Sequence, residues 1–363
     1  MSVTATAGRR PVITAWSAVS PFGIGRAAFI EGIRGLRGTS APLGDGFESA
    51  PGPEACLAPG FSVREALGRK GTRSMDRVTG LTVTAVGALL GESERNQRVG
   101  TGEGAAFALG TTTGSAQSMM DFTRDSLTGE QPFFVDPAQF PNTVMNCASG
   151  QSAIWYQLKG PNTTIAGGRS AGLHALNYAR RLLSSGHAES VLCGTSEEFS
   201  SARAWLEHHA ADSAVTLGEG SAMLLVEPAG DATQPVLAEI LAVELGVVLR
   251  GDVRAALASC LRRAFAQAGC TPEETVAHAG SGNPDRAGVE ESAAVAELLG
   301  ETPWVNLAPH ELIGDTGAAA AGFQIVSLLA YAETHRDRAV GRIGLVTAVD
   351  RTGSVGCALL RLH

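Results

Sequence analysis

The sequence predicts an α/β protein: a buried, largely parallel sheet wrapped by helices and arranged as two related αβ halves. Three observations predict it. Short β-rich runs alternate with helical patterns along all 363 residues, a length that suits one large unit or two modest ones. The chain is 44% hydrophobic and 18% charged, enough to bury a sizeable core and to exclude bulk disorder. Its 45 glycines exceed the usual share of about 7% and predict many tight turns.

The elements follow in order. VITAWSAV (12–19) reads as a strand, and AAFALGTTTG (105–114) as a strand leaving through a Thr/Gly turn. NTTIAGG (162–168) is a strand ending in paired glycines, and SAGLHALNYARRLLSSG (170–186) an amphipathic helix closed by Gly186. SVLCGTSEE (190–198) and SAMLLVEP (221–228) are further strands, so strand, helix and strand form a right-handed crossover unit. PAGDATQPV (228–236) is a soft joint separating a first half, 1–230, from a second, 231–363. Beyond it VLAEILAVEL is a strand, DVRAALASCLRRAFAQAG (252–269) a helix, TVAHAGSG a strand and turn, and AGVEESAAVAELLG (287–300) a helix. The nearly unbroken apolar run from Gly317 to Ala330 predicts a helix buried between layers. IGLVTAVDRTGSVGCALLRL closes the chain as two strands around a turn.

Composition excludes several functions. A net charge of −8 gives no basic field for nucleic acid or an acidic bilayer. No stretch approaches the roughly 20 apolar residues of a membrane span. The Arg9-Arg10 pair has no apolar core behind it, so no signal peptide is expected and the protein is placed in the cytoplasm. The six cysteines stand singly without a CxxC pair, which argues for buried thiols and against zinc or redox chemistry. No cofactor or metal is expected.

KGPNTTIAGGRSAGLHAL (159–176) is the most informative segment. A strand stops at two glycines and turns into a helix, presenting the turn residue at a helix N-terminus that stabilises an anion. Gly168-Arg169-Ser170-Ala171-Gly172 fits G-x-S-x-G, the nucleophile elbow of serine hydrolases. Asp285 and His310 follow in suitable order, but no HGG-type oxyanion loop precedes the elbow. Taken alone, the pentapeptide is more safely read as a tight βα turn with glycines for packing. Cys147 and Cys193 are read as packed thiols on strands, His208-His209 as a solvated helix end, and Glu197-Glu198 with Asp285/Glu290/Glu291 as surface and loop residues.

Five ordered segments carry a resemblance. KGPNTTIAGGRSAGLHAL resembles the active-site elbow of β-ketoacyl synthases, FPNTVMNCASGQSAIWYQLKGP (140–161) the segment before it, and LGEGSAMLLVE (217–227) the strand closing the first half. HAGSGNPDRAGVEESAAV (278–295) is similar to the loop of the first catalytic histidine, and HELIGDTGAAAAGFQ (310–324) to the lysine and second-histidine segment. The resemblance implies a thiolase-like fold, two αβ halves in a five-layered αβαβα arrangement. It also exposes departures. Arg169 stands at the nucleophile position, Ala279 at the first histidine in the register that keeps Glu290 in place, His310 at the lysine and Asp315 at the second histidine. Condensation needs a thiolate and donors aimed at an enolate, whereas a guanidinium cannot attack a thioester.

An intact scaffold with these four vestigial positions resembles the chain-length factor of a type II polyketide synthase. That resemblance implies no catalytic residue in this chain, a ketosynthase as heterodimeric partner, an acyl carrier protein bearing a phosphopantetheine-bound chain, and a tunnel limiting product length. Aromatic-polyketide factors typically carry Gln at the elbow; Arg169 departs from that, and with the short chain the departure favours polyene-forming, highly reducing systems. The length-control candidates are Ser118, Met119, Asp121 and Phe122 in GTTTGSAQSMMDF (110–122), and Phe140, Trp155 and Tyr156 are candidates for an interface strand. A thiolase-like acyltransferase with unorthodox catalytic residues and the Ser170 hydrolase remain as alternatives. Because a buried guanidinium needs a carboxylate for its fork, Arg169 is expected to pair with Asp315, or otherwise with Glu290.

Overall fold

The computed structural model describes residues 10–47, 49–92, 101–210, 215–232 and 234–363. Alternation of period two sets the strands. In the first half they are β1 (Pro11–Ser20), β2 (Ala105–Thr111), β3 (Asn162–Ala166), β4 (Ser190–Glu197) and β5 (Gly220–Pro228), ordered β3-β2-β4-β5-β1 across the sheet. The second half has β6 (Ala238–Val247), β7 (Thr275–Ala279), β8 (Val305–Leu307), β9 (Ile343–Val349) and β10 (Ser354–Leu362), ordered β8-β7-β9-β10-β6. Counted within its own half, each sheet therefore has the same strand order. The two join where β1 and β6 pair antiparallel, Val12 with Glu239 and Ile13 with Ala238.

The expectation of a largely parallel sheet needs correction. Parallel pairing is confined to β3-β2-β4 and β8-β7-β9, while β5, β1, β10 and β6 pair antiparallel. The turn 350–353 between β9 and β10 is too short for the crossover that parallel neighbours require.

The longer helices among the described residues are α1 (Arg26–Arg34), α2 (Arg77–Glu92), α3 (Ala116–Thr128), α4 (Cys147–Tyr156), α5 (Ala171–Ser184), α6 (Ser201–Ala210), α7 (Val253–Ala268), α8 (Arg286–Leu299) and α9 (Ala320–Thr334). None is long and apolar enough to cross a membrane. Neighbouring strand residues divide between layers as the pleat demands. Leu192 and Leu225 face α2 and α4 with Leu81, Leu89 and Ala148. Their neighbours Val191 and Leu224 face α5 and α9, which pack Leu176 and Val326 against both sheets. In the second half Val346 and Leu360 turn to that central layer, while Leu345 and Leu359 meet Leu257 and Val295 of α7 and α8. The result is five layers. Every residue of α9 from Ala320 to Ala332 is buried, as an all-round apolar helix requires.

Each central helix is entered through a one-turn 3-10 segment, Gly168–Ser170 before α5 and Gly317–Ala319 before α9. Both begin on a left-handed glycine, with φ of 52° at Gly168 and 53° at Gly317, a conformation costly for other residues. Segment 140–161 is helical where an interface strand was expected: Phe140–Thr143 is a 3-10 turn, and Cys147 opens α4. Cys193 does lie on a strand, β4.

Candidate functional site

The elbow places Arg169 between the two halves. Its Nη1 donates to Asp315 Oδ1 at 2.8 Å, and Nη2 donates to Oδ2, a two-pronged ion pair. Only 12% of the arginine side chain and 7% of the aspartate remain exposed. Burial works against the charge on Arg169, yet Asp315 holds its pKa above the ordinary value. Burial would raise the Asp315 carboxyl, but Arg169, Arg203 and the Gly317 N–H together hold it below the usual range. Glu290, the other acceptor considered, instead pairs with Arg286 one turn away on α8, Nε to Oε1 at 2.8 Å.

Asp350, which sequence reasoning missed, fixes the elbow backbone. Its Oδ2 accepts the Arg169 N–H at 2.9 Å, and its Oδ1 accepts from Thr352 N and Oγ1 at 2.9 and 2.6 Å. A Cβ on Gly168 would stand 2.0 Å from Asp350 Oδ2, so glycine is required there for space as well as for φ. Outside the pair a cleft of about 250 Å³ opens, lined by Arg169, Asp315, Asp350, Glu207, Arg351 and Thr352 among others. Arg351 and Glu207 bridge it with contacts of 2.8 and 3.1 Å. Behind the pair lies a void of about 10 Å³ between Arg169, His310, Asp315 and Gln324, room for about one water.

Three of the four positions singled out in the sequence, Arg169, His310 and Asp315, thus line one space. Burial, together with Arg169, lowers the His310 pKa against the influence of Glu311 and Asp315. Ala279 is buried at the end of β7, and its carbonyl accepts from Gln324 Nε2 at 3.1 Å. The neighbouring His278 is buried with its pKa lowered to about 4 by desolvation. The loop's buried glutamate is Glu291 and not Glu290: Ser281 donates to it through both N and Oγ, and Thr347 Oγ1 also donates. Thr347 uses its proton on Glu291, so His278 Nε2, 2.8 Å from Thr347 Oγ1, is the donor when Glu291 is ionised.

Glu197 and Glu198 are not surface residues. Both are 1% exposed, because each satisfies backbone and hydroxyl donors at the end of β4. Glu197 accepts from Thr112 Oγ1 and from Ala318 N at 3.3 Å, and its pKa is raised by burial. Burial, with the charge of Asp76, pushes Glu198 up to about 8. His208 and His209 end α6 in the open, ring-packed on Trp205.

Ser170 is fully buried, its Oγ 2.8 Å from Gly167 O and 2.9 Å from Ser354 Oγ. It is thus turned away from the elbow's tip, where a hydrolase nucleophile would stand, and Asp285 sits at the cap position of α8. The thiols offer no substitute. Burial pushes Cys147 up to about 11 and Cys193 to about 12, leaving almost no thiolate at neutral pH.

Ser118, Met119, Asp121 and Phe122 all lie on α3 and line no part of the elbow cleft. Phe122 packs edge-on against Phe140 at 5.9 Å. Among the interface candidates Phe140 is 58% exposed. Trp155 is half-buried over Gly71, and Tyr156 points inward, donating to Val83 O at 3.0 Å. Met120, Phe133, Phe134, Val144, Met145 and Ile154 add exposed apolar surface in the same stretch of chain.

Residues 10–232 match the family described as β-ketoacyl synthase, N-terminal domain. The chain is 26% identical over 193 residues to a 3-oxoacyl-[acyl-carrier-protein] synthase 2 of Synechocystis, a match covering 52% of this chain and 45% of that protein. The chain so spans about half the length of that curated relative. The structure titled the ishigamide ketosynthase/chain length factor is 46% identical, covers 97% of this chain and 99% of its own, and superposes with a TM-score of 0.92. A type II polyketide synthase ketosynthase, solved in the AntDE:AntF complex, shares the fold at 18% identity and a TM-score of 0.79, over 98% of this chain and 99% of its own. Because that family match spans well over half of the chain, the chain belongs to the β-ketoacyl synthase family.

Proposed function

We propose that this chain is a chain-length factor: it pairs with an active ketosynthase and shapes the tunnel that limits a polyketide, without condensing anything itself. One observation carries the reading. The elbow, the family's place for a nucleophile, holds a guanidinium already committed to Asp315, so no thiolate stands there to attack a thioester. The scaffold around it is intact, and 46% identity to the ishigamide ketosynthase/chain length factor supports the same kind of role. The structure titled AntDE:AntF holds an acyl carrier protein with its ketosynthase bound to a hexaketide; a carrier-bound chain is the substrate proposed here as well.

The apolar residues on α3, the 129–146 segment and α4 supply the partner face, continuous with the open edge of β3. The halves 1–230 and 231–363 act as one unit. Arg169 at the elbow favours a polyene-type, reduced product. The test is co-expression with candidate ketosynthases. A one-to-one complex that extends malonyl units on a carrier protein, with no extension by this chain alone, supports the reading; condensation by this chain alone overturns it.

A further inference from the structure

We infer that Glu198 is a positioning residue for length control, its buried carboxyl group setting where helix α3 stands by holding the starts of α2 and α3 together. The inference rests on the reading of α3 as the length-setting helix.

The hydrogen bonds reach Glu198 from two helix starts, and Gln117 links in a third. Oε2 of Glu198 accepts the Val78 N–H at 3.1 Å, in the first turn of α2. Oε1 accepts from Ser115 Oγ at 3.0 Å and from Gln117 N at 3.5 Å, at the cap and first turn of α3. Ser115 in turn caps α3 by accepting the Ser118 N–H at 3.2 Å, and its Oγ lies 3.0 Å from Ser118 Oγ. Gln117 extends the arrangement: its Oε1 accepts Ala202 N in the first turn of α6 at 3.1 Å, and its Nε2 lies 3.1 Å from both oxygens of Asp121. Arg203 fixes the backbone of the clamp by donating to the Glu198 carbonyl at 2.8 Å.

Two of the four length candidates, Ser118 and Asp121, are thus one or two hydrogen bonds removed from a single buried carboxyl group. Outside its first turn α3 is mostly solvent-facing, with only Ala116 buried. Little apolar packing within this chain holds it, so the polar clamp decides its placement. Each oxygen of Glu198 acts as an acceptor for a different helix. A glutamine in its place presents an amide nitrogen, which cannot accept, to one of the two, and that helix start loses its partner.

The experiment uses the complex with the ketosynthase and malonyl-loaded acyl carrier protein, reading product length by mass spectrometry and pairing affinity by titration. Glu198→Gln and Ser115→Ala are each expected to cut the share of the main product at least twofold, spreading it over neighbouring lengths, with affinity for the partner unchanged within twofold. An unchanged length distribution in both variants, while Ser118→Phe shifts it, overturns the role of Glu198 and leaves the reading of α3 standing. Unchanged lengths with Ser118→Phe and Phe122→Trp as well overturn the reading of α3 and this inference with it. Loss of pairing in Glu198→Gln, with Ser115→Ala unaltered in product, assigns Glu198 to folding alone and also overturns it.

Discussion

Arg169 and Asp315 come from the entrances of the two central helices, and their side chains close on each other with both prongs of the guanidinium engaged. The aspartate also accepts the Gly317 N–H at 2.9 Å, so its charge is met by a helix start as well as a cation.

Removing one partner of such a buried pair leaves an orphaned charge. Arg169→Ala is expected to lower unfolding free energy by about 3–5 kcal/mol, read by urea titration. Arg169→Met with Asp315→Leu should recover most of that loss, since apolar residues of similar volume are tolerated in place of a buried pair. Asp315 has its pKa lowered in the folded state, so its contribution is full above the unfolded carboxyl range and fades as pH falls through the folded value. The Arg169→Ala chain should accordingly show a weaker loss of stability in acid than the parent.

Restoring a thiol should not restore chemistry. Arg169→Cys puts sulfur at the elbow, but Asp315 remains an anion beside any developing enolate, and no histidine donor pair returns. Malonyl-carrier decarboxylation and acyl transfer by this variant alone are expected to stay at background, below about a hundredth of an active ketosynthase, the loss expected when a donor set is missing. Turnover approaching that of the ketosynthase would contradict it.

His278 sets an acid limb. Its folded pKa lies near 4 because burial disfavours the imidazolium, whereas the unfolded chain binds the proton near pH 6.5. The unfolded state therefore holds more protons between those values, and stability falls as pH drops from 6.5 towards 4. The full effect is up to about 3 kcal/mol. His278→Gln should flatten that slope in a pH series of denaturation curves, even if its stability at pH 7 is lower.

The partner face can be tested without touching the elbow. Ile154 and Phe140 are 69% and 58% exposed in the single chain, so Ile154→Glu and Phe140→Glu should leave its unfolding within about 0.5 kcal/mol. Pairing with the ketosynthase should weaken at least tenfold, because each change buries a charge in an apolar contact. Unaltered affinity in both variants would move the interface elsewhere.

The strands and central helices were legible because their patterns are local. The short β-rich run SVLCGTSE, buried along its whole length, and the apolar run behind Gly317 each name their element without tertiary information. The Arg169–Asp315 pair was legible through the resemblance, which put two distant positions in one cavity and left charge complementarity to finish the inference. The helical nature of 140–156 was hidden, since its aromatic and β-branched residues read equally well as strand until packing under α2 decides. Helix α2 was similarly masked by its threonines and valines. Asp350, Glu198 and Glu291 carry no sequence signal of burial. A carboxylate reads as surface by default, and only the convergence of N–H and hydroxyl donors on it in three dimensions makes the interior affordable.

The ion pair also constrains how this lineage can drift. A single replacement at 169 strands a buried carboxylate, and a single replacement at 315 strands a buried guanidinium. Either intermediate gives up several kcal/mol from a total that is commonly about 5–15 kcal/mol. The two sites can change together or hardly at all. Descendants of this chain should therefore show the two codons substituting in tandem, since either one-step replacement passes through a destabilised form.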